Sequence, residues 1–238
     1  YTQITIAGPK SRLLLEALGG LDVSSKALKP LDFLEGELAK IKARVFRISF
    51  SGELSFEIAV PSKFGLAFWE KCLEVGAQFG ISPYGTEALH VMRAEKGFIM
   101  IGDETDGTVI PQDLNLGWAV SKKKKDFIGK RAQEREFMND PDRKTLVGLS
   151  LLDNSEKIPD GASVISVGKH QLSGNVIGHV TSTYFSPTLK KPIAMALLKN
   201  GKALMGQRIE IPIESEKSLQ AIVIQPKFYD VEGNRQND

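Results

Sequence analysis

Three acids and an arginine stand out for what their side chains could do. Glu53 and Glu57 lie four residues apart in "SGELSFEIAVP", on the second arm of an apparent hairpin, and Arg93 and Glu95 lie in "MRAEKG". Strand alternation puts Ser55, Glu57 and Ala59 on one face and Leu54, Phe56 and Ile58 on the other, with Glu53 sharing the Glu57 face. A carboxylate projecting from a strand toward a cleft accepts a ring N–H and an adjacent NH2 together, and two parallel bonds fix a planar heterocycle. Arg93 could offer a planar fork to a carboxylate or a carbonyl. Spacing alone leaves the plainer readings open: a solvent-facing strand surface for Glu57, and a local ion pair with Glu95 for Arg93.

The elements that must carry these groups follow from the hydrophobic pattern. Residues 3–7 alternate as a strand, and Pro9 suits the first turn of a helix with Leu13, Leu14, Ala17 and Leu18 on its apolar side. Residues 44–50 and 54–60 alternate again, with Ser51-Gly52 as the turn. Ser62 can cap a helix in which Phe64, Phe68, Cys72 and Val75 recur at helical spacing, and a further helix is expected from Tyr84 to Lys96, stopped by Gly97. Strand, helix, strand, strand, helix is most of a ferredoxin-like split β-α-β unit, so the first part is α+β. Residues 126–138, "DFIGKRAQEREFM", read as another helix. From Thr145 onward the pattern turns to short alternating segments separated by Gly, Pro, Asn and Lys. That predicts a small antiparallel barrel or sandwich. The expected division is 1–143 and 144–238.

Composition narrows the function classes. The 238 residues carry 31 basic and 29 acidic side chains, a balance that argues against nucleic acid as a partner. The run Lys122 to Lys125 reads as a solvated loop. Cys72 is the single cysteine, which excludes an internal disulfide and a cysteine-based zinc cluster; in its apolar stretch it reads as an inert buried thiol. His90, His170 and His179 are too dispersed to suggest a metal site, so none is expected. No apolar run reaches membrane-spanning length and no signal peptide is visible, so no membrane association and a cytoplasmic location are expected. The start, without Met and directly in a strand, reads as a piece of a longer chain. Serine-hydrolase elbows, Walker loops and zincin helices are missing from the sequence.

Longer motifs add a resemblance. "RAEKGFIMIGDETDGTVIPQDLNLGWAVSKKKKDFIGKRA" (93–132) resembles the aminomethyltransferase family, typified by the glycine-cleavage T-protein, and within it the C-terminal region of heterotetrameric sarcosine oxidase α subunits. "IAGPKSRLLLEAL", "SGELSFEIAVP", "GHVTSTYFSPTLKKPIAMALL" and "PKFYDVEGNR" extend it over nearly the whole chain. The resemblance implies a T-protein-like folate-binding fold ending in a C-terminal antiparallel β-barrel, with tetrahydrofolate as the ligand. It implies folate-binding roles for Glu57 (pteridine ring), Arg93 and Phe50, the last replacing a family tyrosine before the hairpin turn; Glu53 is expected to be structural. The family's catalytic aspartate would lie upstream of this chain, so catalytic residues here stay unknown and a complete active site is not expected. Flavin and NAD are expected only in other domains or partner subunits, among them a flavoprotein β subunit. The implied activity is capture of the one-carbon unit of sarcosine oxidation as 5,10-methylenetetrahydrofolate. The alternatives are a T-protein-like aminomethyl transfer from a lipoyl carrier and a non-catalytic folate-fold module.

Overall fold

The computed structural model describes residues 1–153, 156–169, 173–214 and 217–237, which form two compact units, one of residues 1–93 and 230–238 and the other of residues 94–229.

In the first unit, β1 (Thr2–Ala7), β2 (Phe33–Leu38), β3 (Ile41–Phe46) and β4 (Ser55–Val60) make an antiparallel sheet in the order β1-β4-β3-β2. Register fixes which residues share a face. Ile4 pairs with Ile58, Ile6 with Phe56 and Val45 with Ile58, and this apolar set packs on Leu14, Leu15 and Leu18 of α1 (Ser11–Leu18) and Phe68 and Cys72 of α2 (Gly65–Gly76). Each large side chain fully removed from water there contributes about 1.5–3 kcal/mol. The opposite face follows from the same pairings, with Thr5 and Phe46 both opposite Glu57 and Gln3 and Arg44 both opposite Ala59. The expected elements are present, with two differences. The hairpin closes through a longer loop, residues 47–54, and a strand absent from the pattern, β2, pairs along the far side of β3.

Helix α3 (Thr86–Lys96) runs through the residue at which the units divide. The second unit then holds six strands: β5 (Lys144–Leu151), β6 (Ser163–Ser166), β7 (Val176–Ser186), β8 (Lys191–Lys199), β9 (Arg208–Glu214) and β10 (Lys217–Ile224). They fall in the region from Thr145 onward where short alternating segments were expected, and of the two architectures predicted the chain takes the closed barrel, ordered β10-β5-β8-β7-β6-β9. Its interior is apolar, built from residues such as Val147, Leu149, Val180, Leu198, Ile211 and Val223. The helix expected over residues 126–138 reduces to one α turn, α4 (Lys130–Gln133), and a 3-10 turn at Glu136–Asn139. Ile128 and Phe137 within it are exposed and none of its residues is fully buried, so the segment has no buried face to hold it helical. Lys122 to Lys125 are all exposed, as a solvated run should be.

Candidate functional site

Glu57 sits on the sheet face turned away from α1 and α2. It is half-buried, and one carboxylate oxygen, Oε2, accepts a hydrogen bond from Gln3 Nε2 of the neighbouring strand. Burial raises its pKa above the ordinary glutamate value, and the Gln3 bond opposes that rise only in part. A carboxylate has room for about four hydrogen bonds, so most of its accepting capacity remains for a ligand. The phenol of Tyr84 stands near enough to feel it: burial, and then the negative charge of Glu57, push the Tyr84 pKa up. Neither Gln3 nor Tyr84 is conspicuous in sequence. Gln3 becomes visible only once β1 is registered against β4, and Tyr84 only once "SPYG" is placed.

The remaining sequence candidates occupy different surroundings. Phe50 is half-buried in the 47–54 loop, where the Ser49 hydroxyl accepts a 3.0 Å bond from Gly52 N. Glu53 forms an ion pair with Arg235, whose Nη2 lies 2.9 Å from its Oε2, while Leu54 N donates to the Arg235 carbonyl at 2.8 Å. Glu53 therefore fastens the C-terminal segment to the hairpin. Arg93 is completely buried, the bulkiest side chain to be so among the described residues. A guanidinium at that depth is a fixed element of the architecture, not a mobile surface charge. Cys72 is 2% exposed and burial pushes its thiol pKa up to about 11, which keeps it protonated and unreactive. His90 and His179 are half-buried and distant in sequence, while His170 lies outside the described residues. Among the described residues no group of three or more His, Cys, Asp or Glu side chains is arranged to hold a metal ion, and no helix is long and apolar enough to cross a membrane.

A cavity of about 890 Å³ lies in the first unit, along β1. Gln3, Thr5 and Tyr84 contribute its polar rim, and Leu14, Leu66, Trp69 and Leu73 much of its apolar wall. Glu57, Phe50 and Arg93 are not among its lining residues; Glu57 reaches it only through Gln3 and Tyr84. The volume lies within the range of small-molecule sites.

Two family profiles divide the chain between them. "GCVT N-terminal domain" matches residues 1–124, and "Glycine cleavage T-protein C-terminal barrel domain" matches residues 144–230. The chain belongs to the glycine-cleavage T-protein family. Within that family it is 42% identical, over 98% of its length, to the sarcosine oxidase subunit alpha of Corynebacterium sp. strain P-1, and spans 24% of that relative. It is 35% identical over 95% of its length to an aminomethyltransferase of Thermoanaerobacter sp. strain X514, and spans 59% of it. A crystal structure of the glycine cleavage system aminomethyltransferase T from Bartonella henselae superposes with a TM-score of 0.80 at 25% identity, covering 96% of this chain and 60% of the other. This T-protein family chain thus spans about a quarter to three fifths of the relatives it resembles.

The second unit explains other motif residues of this family member structurally. Glu95 is buried and accepts hydrogen bonds from the Ser186 hydroxyl at 2.5 Å and the Thr188 hydroxyl at 3.3 Å, while its carbonyl accepts from Phe228 N and Tyr229 N, both at 2.9 Å. It ties "RAEKG", "YFSPT" and "PKFYD" together. Gly97 follows with φ +71°, and a Cβ there would stand 1.4 Å from the Pro226 carbonyl oxygen, so only glycine fits. Glu104, fully buried, accepts from Thr181 Oγ1 at 2.9 Å, Ser182 Oγ at 2.5 Å and Met100 N at 2.7 Å. The register of β7 against β8 slips between Val180 and Ser182. Such a bulge lets consecutive side chains aim the same way, which accounts for two adjacent hydroxyls on one carboxylate oxygen.

Proposed function

We propose that this chain is the tetrahydrofolate-binding portion of a sarcosine oxidase α subunit, where the one-carbon unit released by sarcosine oxidation is captured as 5,10-methylenetetrahydrofolate. The observation that carries the reading is Glu57: a half-buried carboxylate held by one neutral donor, Gln3, which itself lines a cavity of ligand size, on a chain of T-protein ancestry. The residues fit a reduced pterin. Its edge presents a ring N–H next to an exocyclic amine, and Glu57 supplies the matching acceptors. Identity to sarcosine oxidase α subunits above that to aminomethyltransferases supports the more specific part of the reading.

Bound tetrahydrofolate would supply the amine nitrogens that accept the carbon unit. The protein's part is to hold and shield. Glu57 orients the ring, Phe50 packs against it, and Arg93 anchors the polar part of the folate or supports Glu57. Excluding water from the cavity keeps the one-carbon unit from being lost to solvent. Residues 1–143 would do this work, residues 144–238 would form the closing barrel, and flavoprotein partners would supply the oxidation.

Calorimetric titration with tetrahydrofolate tests the reading. Loss of a charge-assisted bond costs about 1.5–3 kcal/mol, so Glu57→Ala should weaken binding roughly tenfold to a hundredfold. Wild-type affinity in Glu57→Ala would refute the pterin assignment. The aminomethyltransferase reading is favoured instead if activity depends on a lipoyl-carrier protein, and the sarcosine oxidase reading if a flavoprotein subunit copurifies.

A further inference from the structure

We infer that Gln3 and Tyr84 complete the Glu57 site: Gln3 sets the orientation of the carboxylate, and the Tyr84 ring forms the aromatic wall against which a flat, donor-edged heterocycle lies. The inference rests on the folate reading and adds two residues to it.

Three observations on separate elements converge. Gln3 and Glu57 project from adjacent strands on one sheet face and are joined by a hydrogen bond. Gln3 and Tyr84 both line the same cavity. Tyr84, 39% exposed, lies within electrostatic reach of Glu57. The backbone explains its placement. Gly80, with φ +78°, ends the 3-10 turn Ala77–Phe79 that follows α2, and Pro83 disfavours helical backbone at Ser82, so Tyr84 is presented before α3 begins at Thr86. An amide donor on one lone pair of Oε2 stops the carboxylate from rotating while leaving acceptors for two ligand N–H groups. An aromatic face beside those acceptors adds stacking, which favours a planar ring over an amine or sugar.

The charged and titratable groups identified around Glu57 among the described residues come from β3 and from the segment before α3. Arg44 shares the sheet face but is engaged with Glu35 at 2.5 Å and lies 5.1 Å from the centre of the Tyr1 ring. Lys42 lies on the same face of β3, Tyr84 is within electrostatic reach, and β1 contributes the uncharged Gln3 and Thr5. Ionised Glu57 is the form that accepts ligand donors, so binding should weaken as pH falls through its pKa. Because the Gln3 bond favours the ionised form, removing it moves that acid limb to higher pH.

The test is titration of the protein with tetrahydrofolate, and with a tetrahydropterin lacking the glutamate tail, from pH 5 to 8. Tyr84→Ala should lose about tenfold in affinity for both ligands and Tyr84→Phe should lose little, since the ring carries the contact. Gln3→Ala should weaken binding about threefold at neutral pH and shift the acid limb upward. Melting temperatures of all three variants should match wild type, because both side chains lie at a surface. Tyr84→Ala binding like wild type, Tyr84→Phe losing as much as Tyr84→Ala, or an unmoved acid limb in Gln3→Ala would each overturn the inference. If Glu57→Ala alone loses binding, the folate reading stands and these two roles fall; if wild type binds neither ligand, both fall together.

Discussion

Acids of the two units are solvated in opposite ways. Glu104 and Glu95, in residues 94–229, are buried among hydroxyl and amide donors, so the barrel unit has already satisfied them. Glu57, in the first unit, is only half-buried, accepts from a single side-chain amide and carries a pKa raised by its surroundings. A carboxylate whose hydrogen bonds are complete stabilises the fold, and removing it strands its donors. One whose desolvation is incompletely offset holds free accepting capacity at a cost in stability, which marks a place where a ligand can repay the difference. All three sit in the stretches on which the family resemblance was read, so membership of those stretches alone does not separate the two kinds.

Several substitutions would break that contrast or sharpen it. The largest effect should come from Gly97→Ala, beside the Glu95 clamp. The added methyl would collide with the Pro226 carbonyl in a backbone conformation that disfavours side chains, so at least about 3 kcal/mol of stability should be lost. Chemical denaturation would read this as a lower midpoint or as failure to fold; a wild-type midpoint would mean the close approach is relaxed easily. Glu104→Ala should follow at about 3 kcal/mol, because the Thr181 and Ser182 hydroxyls and Met100 N lose their shared acceptor inside the protein. Glu104→Gln keeps the volume and one acceptor and should cost less. A Glu104→Ala melting curve that matches wild type would remove the distinction drawn here between structural and functional acids.

Much of this was legible beforehand, and the misses have physical causes. The barrel strands show in sequence as short apolar or alternating runs cut by Gly, Pro, Asn and Lys: β10 alternates between an apolar interior and its outer face, whereas β8 is buried almost throughout. Glu57 was placed on the correct strand face by the same rule. Strand β2, "FLEGEL", escaped because it is an edge strand, largely exposed, with two acids and a glycine, and so has almost no apolar periodicity. Residues 126–138 misled in the reverse direction: they read as a helix, but nothing in the fold buries a face of the segment. Gln3 and Tyr84 could not be paired with Glu57 from spacing, since each is brought there by a separate long-range event, strand register for one and the exit from α2 for the other. The structural jobs of Glu95 and Gly97 depend on Ser186 and Pro226, about 90 and 130 residues further along.

The smallest effect expected is also the most direct measure of the contrast. Glu57 has a folded-state pKa above its unfolded value, so the folded protein binds the proton more tightly. Stability contributed by this residue is therefore greatest at low pH, falls as pH rises between the unfolded and folded pKa values, and is level above them. Glu57→Gln removes the titration and keeps the shape. It should be as stable as wild type, or more stable by up to about 0.5 kcal/mol, at pH 7, and its advantage should vanish toward pH 4. Equilibrium denaturation at the two pH values checks this. If Glu57→Gln were clearly less stable at pH 7, the charged carboxylate would be stabilising the fold as Glu104 does, and its spare acceptors would no longer point to a ligand.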